Sequence, residues 1–433
     1  MKRRTFINRI AMTGAASILP TATTGMLLQG YQKEQASLGW NFDEVIDRSG
    51  TWSIKYGRVK PGQYAMWIAD MDFPTDPYVH KALQERLDKE VLGYTTIPDE
   101  YYESICAWES KQNGWDIPRE WVGYAPGVIT GINQAYLTFT QPGDKIIVQP
   151  PVYDHFKMYA QRLGREVVDN PLIFENGHYR MDFEGLESLM DERTKVLVLC
   201  HPHNPCGISW DKDSLIRLAD ICERHGVIVI SDEIHSDLTL FDHKHHPFCS
   251  VSEAAARVGV ILTGPTKAFN LAGLSATAYC IIPDQTKREQ FLGTLKNAKL
   301  DEPSIPTIVA TIAAYTSSSG WLPALKEYIQ GNVECVMQFF EEHQLGITPI
   351  RPDASFLIWL DCRSLGLTQE ELLARFRDQA GVYLSDGASY GQGGEGFVRL
   401  NIGCPRSLLQ EALEQVLTST TILNTMKKEI KQP

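Results

Sequence analysis

An α/β fold, with a large domain built on a mostly parallel sheet plus a smaller α+β domain, is what three features of the sequence predict. Between Asp144 and Ile282 run five short segments rich in β-branched residues: KIIVQ (145–149), KVLVLC (195–200), GVIVIS (226–231), VGVILT (258–263) and AYCII (278–282). Amphipathic stretches separate several of them. Beyond Pro303 the texture shifts to longer helical stretches and three further strand-like runs, SFLIWLDC (355–362), GVYLSDG (381–387) and GFVRLNIG (396–403). Near-continuous apolar strands alternating with helices require a sheet covered on both faces, because such strands have no polar side to turn to water. The segment DKDSLIRLADICERHG (211–226) is one such cover: its leucines and isoleucines recur at helical spacing, and Gly226 supplies a stop. On this pattern residues 61–303 form the larger domain, and residues 38–60 with 304–425 the smaller one.

The composition is ordinary for a globular protein, with 433 residues, 43% hydrophobic and 22% charged. A formal net charge of -12 argues against a nucleic-acid partner and gives no basic membrane patch, which leaves a small-molecule substrate as the expectation. The nine cysteines are scattered, odd in number and without a Cys-x-x-Cys pair. Buried thiols are expected, rather than a zinc site or a disulfide framework. The first thirty residues differ from the rest: Arg3 and Arg4 stand directly before Thr5-Phe6-Ile7, and a weakly apolar stretch free of acidic residues continues to Leu28. Residues 1–30 thus resemble a twin-arginine export signal, which implies a periplasmic or otherwise exported protein; a basic N-terminus on a cytoplasmic protein is the alternative. Beyond it no apolar run approaches the roughly 20 residues needed to cross a bilayer, so no membrane-embedded partner is expected.

Ligands of open α/β sheets bind outside the carboxyl ends of the strands, where loops converge. Three polar residues stand there: Asn204 after KVLVLC, Asp232 after GVIVIS and Lys267 after VGVILTG. Singly each has a plain reading, Asn204 before Pro205 as a turn residue, Asp232 as a helix cap and Lys267 as a loop lysine with its ammonium in water. Together they are the set that pyridoxal 5'-phosphate chemistry needs. A lysine amine binds the cofactor aldehyde, a carboxylate keeps the ring nitrogen protonated so that the ring accepts electrons, and an amide steadies the phenolic oxygen.

From about Asn41 to Val416 the chain resembles the fold-type I pyridoxal phosphate enzymes of the aspartate aminotransferase superfamily, and within them the MalY/PatB-like cystathionine β-lyase branch. The resemblance rests on MWIADMDF (66–73), LGYT (92–95), PPVY (150–153), PHNPCG (202–207), SDEIH (231–235), TKAFNLAGL (266–274) and EGFVRLNIGCPR (395–406), in that order. It implies an aspartate aminotransferase-like fold, with Lys267 as the covalent anchor of the cofactor, Asp232 on its ring nitrogen and Asn204 on its phenolic oxygen. Tyr153 would stack on the ring. Val128 and Ile129, after Gly127 in YAPGVITG, match the turn that offers backbone N–H groups to the phosphate, where a helix N-terminus suits a dianion. Thr266 joins them. Tyr94 matches the tyrosine that reaches the phosphate of a neighbouring subunit, which implies a homodimer with shared active sites. Arg399 corresponds to the arginine that grips the substrate α-carboxylate, and Trp67 to a wall of the substrate pocket.

The chain departs from the aminotransferase pattern in three places. His235 stands where a tyrosine usually touches the phenolic oxygen, a substitution typical of the lyase-like branch, and a neutral imidazole can still donate one hydrogen bond. Gly264 and Ser275 stand where many aminotransferases have a serine and an arginine on the phosphate. The tract HKHHPF, with His243, His245 and His246, reads as a solvated loop rather than a metal site, because no acidic or cysteine ligands accompany it at fixed spacing. The resemblance implies a carbon–sulfur β-lyase acting on L-cystathionine or related cysteine S-conjugates. An aminotransferase using the same groups is the alternative, and a catalytically idle binding module is a third reading that the intact Lys267, Asp232 and Asn204 oppose.

Overall fold

In the computed structural model, which describes residues 40–274 and 276–430, the chain divides into Met1–Asn41 and Phe42–Pro433. All elements that follow belong to the second unit. In chain order its strands are β1 (Tyr64–Met66), β2 (Val122–Ala125), β3 (Lys145–Val148), β4 (Glu166–Asp169), β5 (Ile173–Glu175), β6 (His178–Arg180), β7 (Thr194–Cys200), β8 (Ile228–Asp232), β9 (Gly259–Thr263), β10 (Ala278–Ile281), β11 (Thr348–Ile350), β12 (Leu357–Asp361), β13 (Val382–Asp386) and β14 (Phe397–Asn401).

Seven strands make the larger sheet, in the order β2-β10-β9-β8-β7-β3-β4. Neighbours from β9 to β4 run parallel, whereas β10 is antiparallel to both β2 and β9. The apolar runs of the sequence account for five of the seven. The other two, VGYA (β2) and EVVD (β4), are too short or too polar to stand out as strands, and they are recruited by their neighbours. Cys200 pairs with Asp232, and Asp232 with Leu262, so β7, β8 and β9 end level with one another.

Both faces of the sheet are covered. On one lies the helix Val128–Phe139, whose Val128, Ile132, Ala135 and Tyr136 pack with Val196, Val198, Ile230, Val260 and Leu262 in one buried cluster. On the other lies the helix Lys212–Arg224, which buries Leu215, Leu218, Ala219, Ile221 and Cys222. Each large aliphatic side chain so enclosed contributes on the order of 2 kcal/mol. The helix is capped by Asp211, whose side chain accepts the Ser214 N–H, and it stops before Gly226, at φ +66°.

The smaller sheet runs β1-β13-β14-β12-β11, antiparallel except for β1 on β13. Its first strand, Tyr64–Met66, comes from the span that the sequence pattern assigns to the larger domain, yet it pairs with Val382–Leu384. Three residues carry too little periodicity to reveal that partner. Arg399 sits in the middle of β14, flanked by Trp359 of β12 and Ser385 of β13. The twin-arginine stretch lies outside the described residues. Among those described, no helix is long and apolar enough to cross a membrane.

Candidate active site

The level ends of β7, β8 and β9 open on a cavity of about 420 Å³, and Asn204, Asp232 and Lys267 all line it. Topology explains the convergence. Asp232 ends the middle strand of three, and the loops that leave its two neighbours deliver the amide and the amine from either side. The Lys267 Nζ donates to the Ala69 carbonyl at 2.7 Å. Burial pulls its ammonium down to about 8, the Arg399 guanidinium adds repulsion, and the Asp70 and Asp232 carboxylates pull the other way. Asp232 is only 5% exposed, and burial pushes its carboxyl up to about 7 against the opposing effects of the Ile234 N–H and the Lys267 charge. The Ile234 N–H reaches its Oδ1 at 3.1 Å, and among the described residues no cation forms an ion pair with it.

The helix Val128–Phe139 points its N-terminus into the same cavity, where Gly127, Val128, Ile129 and Thr130 form the wall. No side chain caps this end, and Gly127 takes φ +95°, a conformation open to glycine and strained for other residues. The first N–H groups of the helix are thus left to an outside acceptor. Thr266 lines the same cavity with its hydroxyl turned to Thr277, 2.9 Å from that residue's hydroxyl and donating to its carbonyl at 3.1 Å.

Arg399 enters from the other sheet and is 4% exposed, which excludes a solvent-facing strand arginine. Its Nη1 donates to the Asn204 Oδ1 at 2.7 Å, and its Nη2 to the Trp67 carbonyl at 2.8 Å and the Ser385 Oγ at 3.2 Å. Among the described residues the buried Nε has no hydrogen-bond partner. His235 is also enclosed. Burial, then the Lys267 and Arg399 charges, hold its imidazole well below the usual range and so neutral, and among the described residues its buried Nδ1 has no hydrogen-bond partner. Tyr153 lines the cavity with one ring stacked on His155, at 4.6 Å between centroids and 8° between planes.

Two of the residues named from the sequence do not line this cavity. Trp67 walls an adjoining cavity, and its backbone carbonyl accepts from Arg399, which lines both. Tyr94 is fully exposed in the extended segment that also exposes Val91 and Leu92, and it does not line the cavity of its own chain. Gly264 has a local reason: a Cβ there would collide with the Thr277 carbonyl oxygen and stand 2.9 Å from the Ala278 Cα, so no serine fits. Ser275 lies outside the described residues. The histidine tract is not wholly solvated, because His245 is buried, with its Nε2 2.7 Å from the Glu233 Oε2, while His243 remains exposed. Glu233 is the acidic partner that spacing along the chain concealed.

Sequence reasoning named MWIADMDF but missed how the loop that carries Ala69 is held. Asn270, at φ +55°, clamps it to the Lys267 loop by accepting the Met71 N–H and donating to the Met71 and Phe73 carbonyls. Asn401 donates to the Ile68 and Asp70 carbonyls from the opposite side. All five bonds go to the backbone, which has no signature in a sequence, although FNLAG and VRLN are where the two clamps lie.

The pattern described as aminotransferase class I and II matches residues 66–416, and the chain belongs to that family. It is 41% identical over 384 residues to the cystathionine beta-lyase PatB of Bacillus subtilis (strain 168), covering 87% of this chain and 98% of that protein. It is 33% identical to protein MalY of Escherichia coli (strain K12), over 88% of this chain and 98% of MalY. Among solved structures, cystalysin from Treponema denticola, which contains a pyridoxal 5'-phosphate cofactor, superposes with a TM-score of 0.85 at 31% identity, over 89% of this chain and 99% of that one.

Proposed function

We propose that this chain is a pyridoxal 5'-phosphate-dependent carbon–sulfur β-lyase, which cleaves L-cystathionine or another cysteine S-conjugate to a thiol, pyruvate and ammonia. The observation that carries the reading is one cavity lined by Lys267, Asp232, Asn204, His235 and Arg399, in a chain 41% identical to a cystathionine beta-lyase. Its residues fit the cofactor. An uncapped helix N-terminus suits the phosphate, a buried carboxyl without an ion-pair partner suits a protonated ring nitrogen, and the neutral His235 suits the phenolic oxygen. Lys267 would hold the aldehyde carbon, Val128, Ile129 and Thr266 the phosphate, Asp232 the ring nitrogen, Asn204 and His235 the phenolic oxygen, and Tyr153 the ring face.

When bound, the cofactor supplies the electron sink that makes the substrate Cα–H bond acidic. Arg399 binds the α-carboxylate and fixes rotation at Cα, since a planar guanidinium can form two parallel hydrogen bonds to that group. Once the substrate amine has displaced it, the Lys267 Nζ takes the Cα proton; an amine whose ammonium is held near 8 is available for this near neutral pH. The carbon–sulfur bonding pair then leaves with sulfur, the Lys267 ammonium returns a proton to the thiolate, and water converts the remaining three-carbon fragment to pyruvate and ammonia. Aminotransfer would use the same groups. The test is an amino-acid panel assayed in parallel for pyruvate and for amino transfer to a keto acid. Homocysteine, pyruvate and ammonia in equal amounts from cystathionine are expected, and efficient transamination with no pyruvate from any S-conjugate would make the aminotransferase reading the correct one.

The fully exposed Tyr94 supports a homodimer in which it completes the partner's site. Mixing inactive Tyr94→Ala and Lys267→Ala chains should then restore about a quarter of wild-type activity, because half of the dimers are hybrids with one intact site each; no recovery would place Tyr94 outside the partner's site. Export rests on Arg3 and Arg4 and on the weakly apolar, acid-free stretch that follows them to Leu28. Their replacement by lysine should retain the enzyme in the cytosol, and a native enzyme found only in the cytosol with Met1 in place would end that reading.

A further inference from the structure

Beside the cavity at Lys267 lies a second one of about 490 Å³, and the two share Ile68, Tyr153 and Arg399 as walls. A substrate held at Arg399 with its Cα toward Lys267 therefore has a second chamber open to its side chain. The charges lining that chamber are unequally satisfied. Arg377 is bound by Asp378, through its Nε at 3.0 Å and its Nη2 at 2.8 Å. Asp154 meets the His155 Nδ1 at 2.8 Å. Asp386 accepts the Gln369 side-chain amide and the Ala388 N–H, capping the turn Gly387–Tyr390. Arg399 is committed to the α-carboxylate. Arg58 differs from these, for among the described residues it has no carboxylate partner, and its guanidinium stands over the Trp67 ring at 4.9 Å from the centroid.

That stacking orients Arg58 without neutralising it. Trp67 is itself fixed, since its Nε1 donates to the Lys55 carbonyl at 2.9 Å and its own carbonyl receives Arg399. One residue thus positions two guanidinium groups, one at the shared wall and one at the rim of the second chamber. We propose that Arg58 is a specificity-determining residue for the leaving group, selecting cysteine S-conjugates whose thiol carries a carboxylate. The proposal rests on the lyase reading of the first cavity.

The test uses three conjugates of matched length with the holoenzyme: S-(2-carboxyethyl)-, S-propyl- and S-(2-aminoethyl)-L-cysteine. Apparent Kd comes from the rapid change in cofactor absorbance on mixing, and kcat/KM from pyruvate. Wild type should favour the carboxyethyl over the aminoethyl compound. Arg58→Met should lower the carboxyethyl-to-propyl ratio about fivefold, the scale of a solvent-accessible ion pair, Arg58→Lys should keep most of the preference, and Arg58→Glu should invert the order of the two charged compounds. Ratios within about twofold of wild type in Arg58→Met, or a wild-type preference for the aminoethyl compound, would overturn the assignment. Failure of all three to yield pyruvate would instead sink the lyase reading, and the absorbance titration would still decide the role of Arg58.

Discussion

Replacing Arg399 with lysine separates the charge of the guanidinium from its shape. In the folded chain the Nη1 spans to Asn204 at 2.7 Å while the Nη2 serves Trp67 and Ser385 at 2.8 and 3.2 Å. A lysine nitrogen is one point and cannot occupy both positions. The variant keeps the positive charge beside Lys267 but loses at least one of the paired contacts to the substrate carboxylate, and it leaves either Asn204 without its Arg399 donor or the Trp67 carbonyl with the Ser385 hydroxyl alone. A hydrogen bond to a charged group is worth about 1.5–3 kcal/mol, and each 1.36 kcal/mol is tenfold in rate, so kcat/KM for cystathionine should fall by about 10- to 100-fold. The measurement is pyruvate release under kcat/KM conditions, with thermal unfolding and cofactor absorbance recorded to show an intact fold. A kcat/KM within about threefold of wild type would refute the view that planar geometry, rather than charge alone, orients the substrate.

Two further outcomes follow from the same geometry. The Asp232 carboxyl is raised to about 7 in the folded, cofactor-free chain against about 4 when unfolded, so the folded state binds its proton more tightly and stability on this account declines as pH rises from about 4 to 7. Asp232→Asn should therefore stabilise the cofactor-free protein at pH 8, on the order of 2–4 kcal/mol, with the gain shrinking by pH 5; chemical denaturation at both pH values checks this, and a gain independent of pH would contradict it. Gly264→Ser, which would restore the serine common in aminotransferases, should instead lower stability by about 1–3 kcal/mol because its Cβ meets the Thr277 carbonyl. An unchanged denaturation midpoint together with tighter cofactor binding would show that the backbone yields.

Much of the site was legible in the sequence because its side chains sit at fixed offsets from strands that announce themselves. Asn204, Asp232 and Lys267 each lie within four residues of the end of an apolar run, and the sheet order β9-β8-β7 brings those ends together. The strand position of Arg399 was readable for the same reason, since a local pattern dictates local structure, whereas the turn at Gly127 was named only through the family resemblance. The direction of Arg399 was not readable, because a strand alternates its side chains between two faces, both faces of β14 are buried, and only the folded chain decides which of them meets the cavity. Nor was β1, whose three residues gain a place only by pairing with a strand more than 300 positions away. Tertiary structure alone turned His245 from a loop histidine into a buried partner of Glu233, and Gly264 from a missing phosphate ligand into a close backbone contact. It also set Arg58 over Trp67 at the edge of a second chamber, for charges distant along the chain are matched or left unmatched only once the chain has folded.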